Sequence, residues 1–171
     1  MLTIRPAEQT DLPAITDIYN QAILTTTATF DSQPKTLAEQ QEWFDGHGGR
    51  CPLLVADLNG RVVGWASLSK WSDRCAYADT AEASLYIAEP HRGQGLGRRL
   101  AQALLAAGEQ AGLHTIIARI SSDNDVSIRL CRSLGFRDIG VMREVGRKFD
   151  RLLDVHLLQL IYRPRSPASP A

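Results

Sequence analysis

The 171-residue chain has only three cysteines, Cys51, Cys75 and Cys131. Their number is odd and no CxxC or Cys/His spacing accompanies them, so neither a disulfide framework nor a metal site is expected. Charge of one sign is also lacking. Lys plus Arg number 19 and Asp plus Glu number 19, which leaves no overall field to draw the chain to nucleic acid or to an anionic membrane. No apolar run reaches the roughly 18 residues that would span a bilayer, and no signal peptide is recognisable, so a cytoplasmic location is expected. With 44% hydrophobic residues, a chain of this length suits one core and leaves no room for a second domain. The stretch from Arg163 to Ala171 is rich in proline and serine and is expected to be disordered, which leaves residues 1–162 as the domain. Two nucleotide loops are missing too: no Gly-Lys-Ser/Thr closes a Walker turn, and no G-x-G-x-x-G follows a first strand.

What is present is a run from Leu85 to Leu100 that reads as a strand, a short connection and a glycine-rich turn opening into a helix. Glycines at 93, 95 and 97 let a ligand approach the backbone closely, and the first N–H groups of a helix have no intrahelical partner. Together with the helix dipole, they suit a pyrophosphate. Arg92, Arg98 and Arg99 form a local basic cluster better matched to the phosphates of a small ligand than to DNA. A glycine-rich loop without a ligand is the plain alternative.

The surrounding elements are readable in order. Thr3 to Ala7 opens as a strand, and Asp11 caps a helix with Pro13 in its first turn. Thr36 and Glu39 form a capping box ahead of Trp43 and Phe44. Strands at 53–57 and 61–69 flank Asn59-Gly60, a hairpin signal. Ala81 to Ile87 is the next strand. Leu96, Leu100, Ala103, Leu104, Ala107 and Ala111 then give one apolar helix face, ended by Gly112. Thr115 to Ile120 reads as a buried strand. A short helix starts at Asn124 and stops at Gly135-Phe136, and strands near 139–145 and 154–162 close the set.

The order Arg92, Gly95, Gly97 matches R/Q-x-x-G-x-G/A, and the chain resembles the GNAT acetyltransferases from end to end, with Asn124-x-x-Ser127-Ile128 leading to Gly135-Phe136 as a second signature. Within that superfamily it looks most like the phosphinothricin and L-amino-acid N-acetyltransferases. Thr29-Phe30, Trp71-x-x-Arg74-x-x-Tyr77, Ala81-Glu82-x-Ser84-x-Tyr86-Ile87 and Gly146-x-Lys148-Phe149 followed by Asp154-Val155 carry the likeness. The chain departs from it at Cys131, where many relatives have His, and at Leu152, where Trp is usual. The resemblance implies an α/β (α+β) fold with a mixed, mostly antiparallel central sheet, a splayed strand pair and flanking helices. It also implies acetyl-CoA as co-substrate, no metal, and pairing into a homodimer.

Acetyl transfer to an amine needs a base, because an α-ammonium must lose a proton before its nitrogen attacks a thioester. Alternation puts Glu82, Ser84 and Tyr86 on one strand face and Ala83, Leu85 and Ile87 on the other, so Glu82 lies apart from the apolar set. The resemblance gives it the base role, through water; a solvated edge glutamate is the alternative. By the same resemblance a bulge in this strand frees a backbone N–H, from Tyr86 or Ile87, toward the thioester oxygen. Backbone groups of Leu85, Tyr86 and Ile87 would pair with pantetheine as an added strand. The pyrophosphate would lie on Arg92, Gly93, Gln94, Gly95, Leu96, Gly97 and Arg98. Asn124 would hold the pantetheine arm, or serve as a plain N-cap, with Ser127 one turn on.

Cys131 stands where the resemblance places a general acid for the departing thiolate. An ordinary cysteine, of pKa about 8.5, has the acidity for it, and a small buried hydrophobe is the other reading; Tyr86 or water are alternative donors. Arg74 is suited to grip a carboxylate or phosphinate bidentately, with Tyr77 adding a hydroxyl and Phe30, with Trp71, walling the pocket; a surface ion pair and core aromatics are the plain alternatives, and it is the resemblance that favours the site. Lys148 belongs at the mouth or at a dimer contact. The expected activity is direct acetyl transfer, in a ternary complex, to the α-amine of an amino acid or an analogue such as phosphinothricin or methionine sulfoximine. An enzyme acetylating a protein N-terminus or ribosomal protein would need an open groove instead. A non-catalytic acyl-CoA-binding regulator would have no use for Glu82.

Overall fold

The computed structural model describes residues 1–162, and the expectation of a disordered tail at 163–171 lies outside them. Its elements run β1 (Leu2–Pro6), α1 (Leu12–Thr25), α2 (Leu37–Asp45), β2 (Leu53–Leu58), β3 (Arg61–Lys70), β4 (Thr80–Ile87), α3 (Leu96–Gln110), β5 (Thr115–Ser121), α4 (Asp125–Ser133), β6 (Arg137–Lys148) and β7 (Arg151–Ile161). One sheet takes the order β1-β2-β3-β4-β5-β7-β6. Every neighbour in it is antiparallel except β4 and β5.

Local chemistry sets the ends of these elements. Thr36 Oγ1 accepts from Glu39 N at 3.2 Å while Glu39 Oε2 accepts from Thr36 N at 2.8 Å, so the capping box fixes the start of α2. Asn59 and Gly60, at φ 55° and 84°, make the tight turn between β2 and β3. Asp11 precedes α1, but its carboxylate serves Arg5 at 2.7 and 2.9 Å instead of capping the helix. That guanidinium holds the Asp11 carboxyl below the usual carboxylate range.

Alternation divides the core between the two faces of the sheet. On one, Leu100 and Leu104 of α3 and Ile128 of α4 pack with Leu68, Ile116 and Leu158. On the other, Ile15 and Ile18 of α1 and Trp43 of α2 pack with Val55, Trp65 and Tyr86. Residues 82, 84 and 86 of β4 point to this second face, and 83, 85 and 87 to the first, as the strand period requires.

The parallel pair is brief. Thr80, Ala81 and Glu82 pair with Thr115, Ile116 and Ile117, and the ladder stops there although both strands continue. The expected splay is therefore present, but no bulge in the β3–β4 ladder makes it. That ladder runs unshifted from Gly64↔Ile87 to Lys70↔Ala81. A register shift lies one ladder away instead, between Ala56 and Asp57 of β2 opposite β3. From Ile117 onward β5 keeps its pairing with β7 as far as Ser121↔Val155, so it follows the β7 side as β4 follows β3.

Candidate active site

Where β4 and β5 part, a cleft of about 620 Å³ opens between them, walled by α3, α4 and the loop after α1. The direction of the β4 backbone follows from bonds just beyond its two ends. Ala88 N donates to Val63 O at 2.9 Å and Trp71 N to Thr80 O at 3.4 Å. In an antiparallel pair such bonding residues alternate, so the N–H groups of residues 82, 84 and 86 point at β3. Those of Leu85 and Ile87 point away from it, into the splay. Of the two expected donors, Tyr86 thus turns its N–H to β3 and Ile87 turns it away. The Ile87 carbonyl is taken by Arg92 Nε at 3.0 Å, which ties the glycine turn to the end of the strand.

In that turn Gly93 and Gly95 stand at φ 74° and 78°, conformations that favour glycine. Gly95 is the residue before α3. Among the described residues, none of the N–H groups from Gly93 through Arg98 donates to a backbone carbonyl; the first to do so is Arg99, to Gly95 at 3.3 Å. Gly97 has a different reason to be small. A Cβ there would meet Leu85, Leu130 and Ile87 only at 3.7 to 4.0 Å, ordinary contact, so chain packing does not require glycine. A row of donors without carbonyl partners, with Arg92 and Arg98 beside it, fits a pyrophosphate.

Glu82 lines the cleft at the fork. It accepts two bonds from Arg119 of β5, Nε to Oε1 at 2.6 Å and Nη2 to Oε2 at 2.7 Å. Arg119 was not among the expected site residues. Its signal was in the sequence, as the one charge inside the apolar run Thr115 to Ile120. Ser69, the cross-strand partner of Glu82, also lines the cleft, and its hydroxyl lies 3.0 Å from His47 Nε2.

On the α4 side Asn124 Oδ1 accepts from Ser127 N at 3.2 Å, so it is an N-cap; Asn124, Ser127 and Cys131 all line the cleft. Cys131, like Leu134, packs against the core, and burial pushes its thiol up to about 11. Passing that proton to a thiolate of ordinary basicity, about 8.5, is uphill. Burial and the raised thiol favour the packing reading of Cys131 over the general-acid one. Burial also raises the Tyr86 phenol strongly, so both groups stay protonated near neutrality.

Phe30 reaches the cleft on the loop after α1, with its ring against Gly146 of β6. Arg74 and Tyr77 do not reach it. They sit exposed on a short turn between β3 and β4, and neither lines the cleft of this chain. Trp71 stays nearby, its ring under the Arg119 guanidinium at 5.7 Å.

Residues 15–136 match the model of the Acetyltransferase (GNAT) family. The chain belongs to that family. It is 43% identical over 168 residues to the L-methionine sulfoximine/L-methionine sulfone acetyltransferase of Pseudomonas paraeruginosa, covering 97% of this chain and 98% of the relative. With the phosphinothricin N-acetyltransferase of Streptomyces coelicolor it shares 38% identity over 156 residues, 89% and 91% of the two chains. The fold superposes on Salmonella typhimurium yncA, solved with its cofactor acetyl-CoA, at a TM-score of 0.93 with 37% identity, covering 99% of each chain. The mixed, mostly antiparallel sheet, its splayed pair and the helices on both faces are those expected of GNAT enzymes.

Proposed function

We propose that this acetyltransferase moves acetyl from acetyl-CoA to the α-amine of a small amino acid or analogue, of the methionine sulfoximine, methionine sulfone or phosphinothricin type, by direct attack in a ternary complex. The observation that carries this reading is the fork itself: the N–H of Leu85, turned away from β3, and the Glu82 carboxylate border one cleft, and the strand leads on through Ile87 to the donor row at the start of α3.

Acetyl-CoA supplies the activated acetyl group. The row from Gly93 to Arg98 holds the pyrophosphate, the Leu85 and Ile87 backbone groups with Asn124 and Ser127 align the pantetheine arm, and the N–H of Leu85 or Ile87 faces the thioester oxygen. Glu82 takes the proton of the α-ammonium through water. Cys131 packs against the arm without giving up its thiol proton, and the leaving thiolate takes its proton from water. The relatives named for methionine sulfone and phosphinothricin support a small acceptor, as does the closing of the cleft by Phe30.

A cytoplasmic homodimer completes the proposal. β6 is an edge strand of 12 residues, and Ile139, Val145, Phe149 and Leu152 are exposed along β6, the turn after it and the start of β7, a surface that pairing would cover. Sedimentation velocity at micromolar protein tests it, and a monomer throughout would reject it. For the activity, thiol release from acetyl-CoA is followed with free amino acids, their sulfone, sulfoximine and phosphinate analogues, and short peptides. Turnover with peptides alone, or with no amine, would overturn the reading.

A further inference from the structure

Arg119 is bound to Glu82 in a way that leaves half of it unused. A guanidinium presents five N–H donors in a planar fork. Nε and Nη2 form one edge, filled by Glu82 at 2.6 and 2.7 Å. Nη1 has no hydrogen-bond partner among the described residues, so the edge made by Nη1 and Nη2 is open. The plane is steadied from one side by the Trp71 ring. The Arg119 side chain keeps 51% of its accessible surface, against 21% for Glu82. A pair this exposed adds little to stability, and it stands on the cleft wall where the strands part.

An α-amino acid is a carboxylate and an ammonium on one carbon. The open edge of Arg119 suits the first bidentately, and the Glu82 carboxylate beside it suits the second. We propose that Arg119 is the residue that recognises the acceptor's carboxylate, and that Arg119 and Glu82 together bind the zwitterion, with the carboxylate on the open guanidinium edge and the amino group toward Glu82. This assignment rests on the amino-acid acetyltransferase reading above and deepens it. It moves the clamp from Arg74, which lies on an exposed turn off the cleft, to a residue of β5. It also gives a reason for selectivity: an amide, an ester or a peptide N-terminus brings no anion to the open edge, and a decarboxylated amine brings only positive charge toward the guanidinium.

The test compares two acceptors in each enzyme, L-methionine sulfone and its carboxamide, by kcat/KM at saturating acetyl-CoA. Any loss that Arg119→Met causes through Glu82 or through folding is shared by both acceptors and cancels in the ratio. The wild type is expected to prefer the acid by about a hundredfold, and Arg119→Met to lower that preference by about tenfold or more through a raised KM for the acid. Arg119→Lys, which keeps the charge without the fork and serves if the methionine variant does not fold, is expected between the two. An unchanged ratio in Arg119→Met overturns the assignment, and so does a ratio that collapses in Arg74→Met alone. Both outcomes leave the enzyme an amino-acid acetyltransferase. A wild type that acetylates neither acceptor nor any other free amino acid overturns that reading and this one with it.

Discussion

Lys148, at the end of β6, donates its Nζ proton to the carbonyl of Thr29 at 2.7 Å, joining positions 119 residues apart in the chain. The lysine is only 5% exposed, and desolvation lowers the pKa of its ammonium from the usual lysine value. A buried cation without a partner is costly, so this bond fixes the loop as much as the loop shelters the lysine. The same loop is held by Tyr19 on Thr29 and Asp31, at 3.0 and 2.8 Å, and by Thr27 on Asp123 at 2.7 Å. Phe30 is thereby kept against Gly146, where a Cβ would overlap its ring.

Lys148→Met should free this loop without opening the core. Amide exchange from Thr27 to Asp31 is expected to quicken, and KM for the acceptor to rise about tenfold, because Phe30 no longer closes the cleft. Acetyl-CoA affinity should hold, since the α3 donors are elsewhere. Unchanged exchange in the loop would show that Lys148 does not anchor it.

Gly97→Ala separates ligand approach from backbone strain in the glycine turn. Gly95 cannot do this, because its φ of 78° makes any side chain strained whatever the ligand. Gly97 lies inside α3 with only ordinary contacts awaiting a Cβ, and alanine favours helix over glycine by up to about 1 kcal/mol. The melting temperature should stay level or rise while calorimetric affinity for acetyl-CoA falls by about tenfold or more. A variant that binds acetyl-CoA as the wild type does would remove the pyrophosphate from this turn.

These positions show where sequence suffices. Asn59-Gly60, the Thr36 and Glu39 box and the α3 face were legible because each is a local rule of backbone or periodicity, met within a few residues. The long hairpin was read short. β6 runs Arg137–Lys148, against an expected 139–145, because an exposed edge strand rich in glycine and charge has no alternation to read. Which β4 donors face the cleft depends on the partner strand, which the β4 sequence does not contain. Arg119 was hidden for a related reason: a run that looks wholly buried does so only while its neighbour stays paired, and β5 loses β4 beyond Ile117. Arg74 and Tyr77 lie in a connection with no periodicity, so nothing local said which way it would turn.

The packing role of Cys131 predicts its reactivity. Burial raises the thiol pKa to about 11, so labelling by iodoacetamide, read at the Cys131 peptide by mass spectrometry, should climb with pH around that value. The same shift bears on stability: with the folded value above the ordinary one of about 8.5, the contribution is complete below that value and is lost as pH rises toward 11. Labelling with a midpoint near 8.5 would instead restore Cys131 as a candidate acid.

Glu82→Gln tests the base, and its result depends on Arg119. Glutamine keeps the length of the side chain and can still accept one guanidinium bond, but it cannot take a proton from an ammonium. Turnover should fall by about 10² to 10⁴, as for a lost general base, and rising pH should recover part of it because more of the acceptor is already free amine. The loss should appear in kcat more than in acetyl-CoA affinity, since the α3 donors are untouched. If Glu82 only held Arg119 in place, the pattern would be different: KM for the acceptor would rise, kcat would stay within a few-fold of wild type, and higher pH would rescue nothing. A general base and a strut for the guanidinium are thus told apart by which constant moves and by the slope of its pH profile.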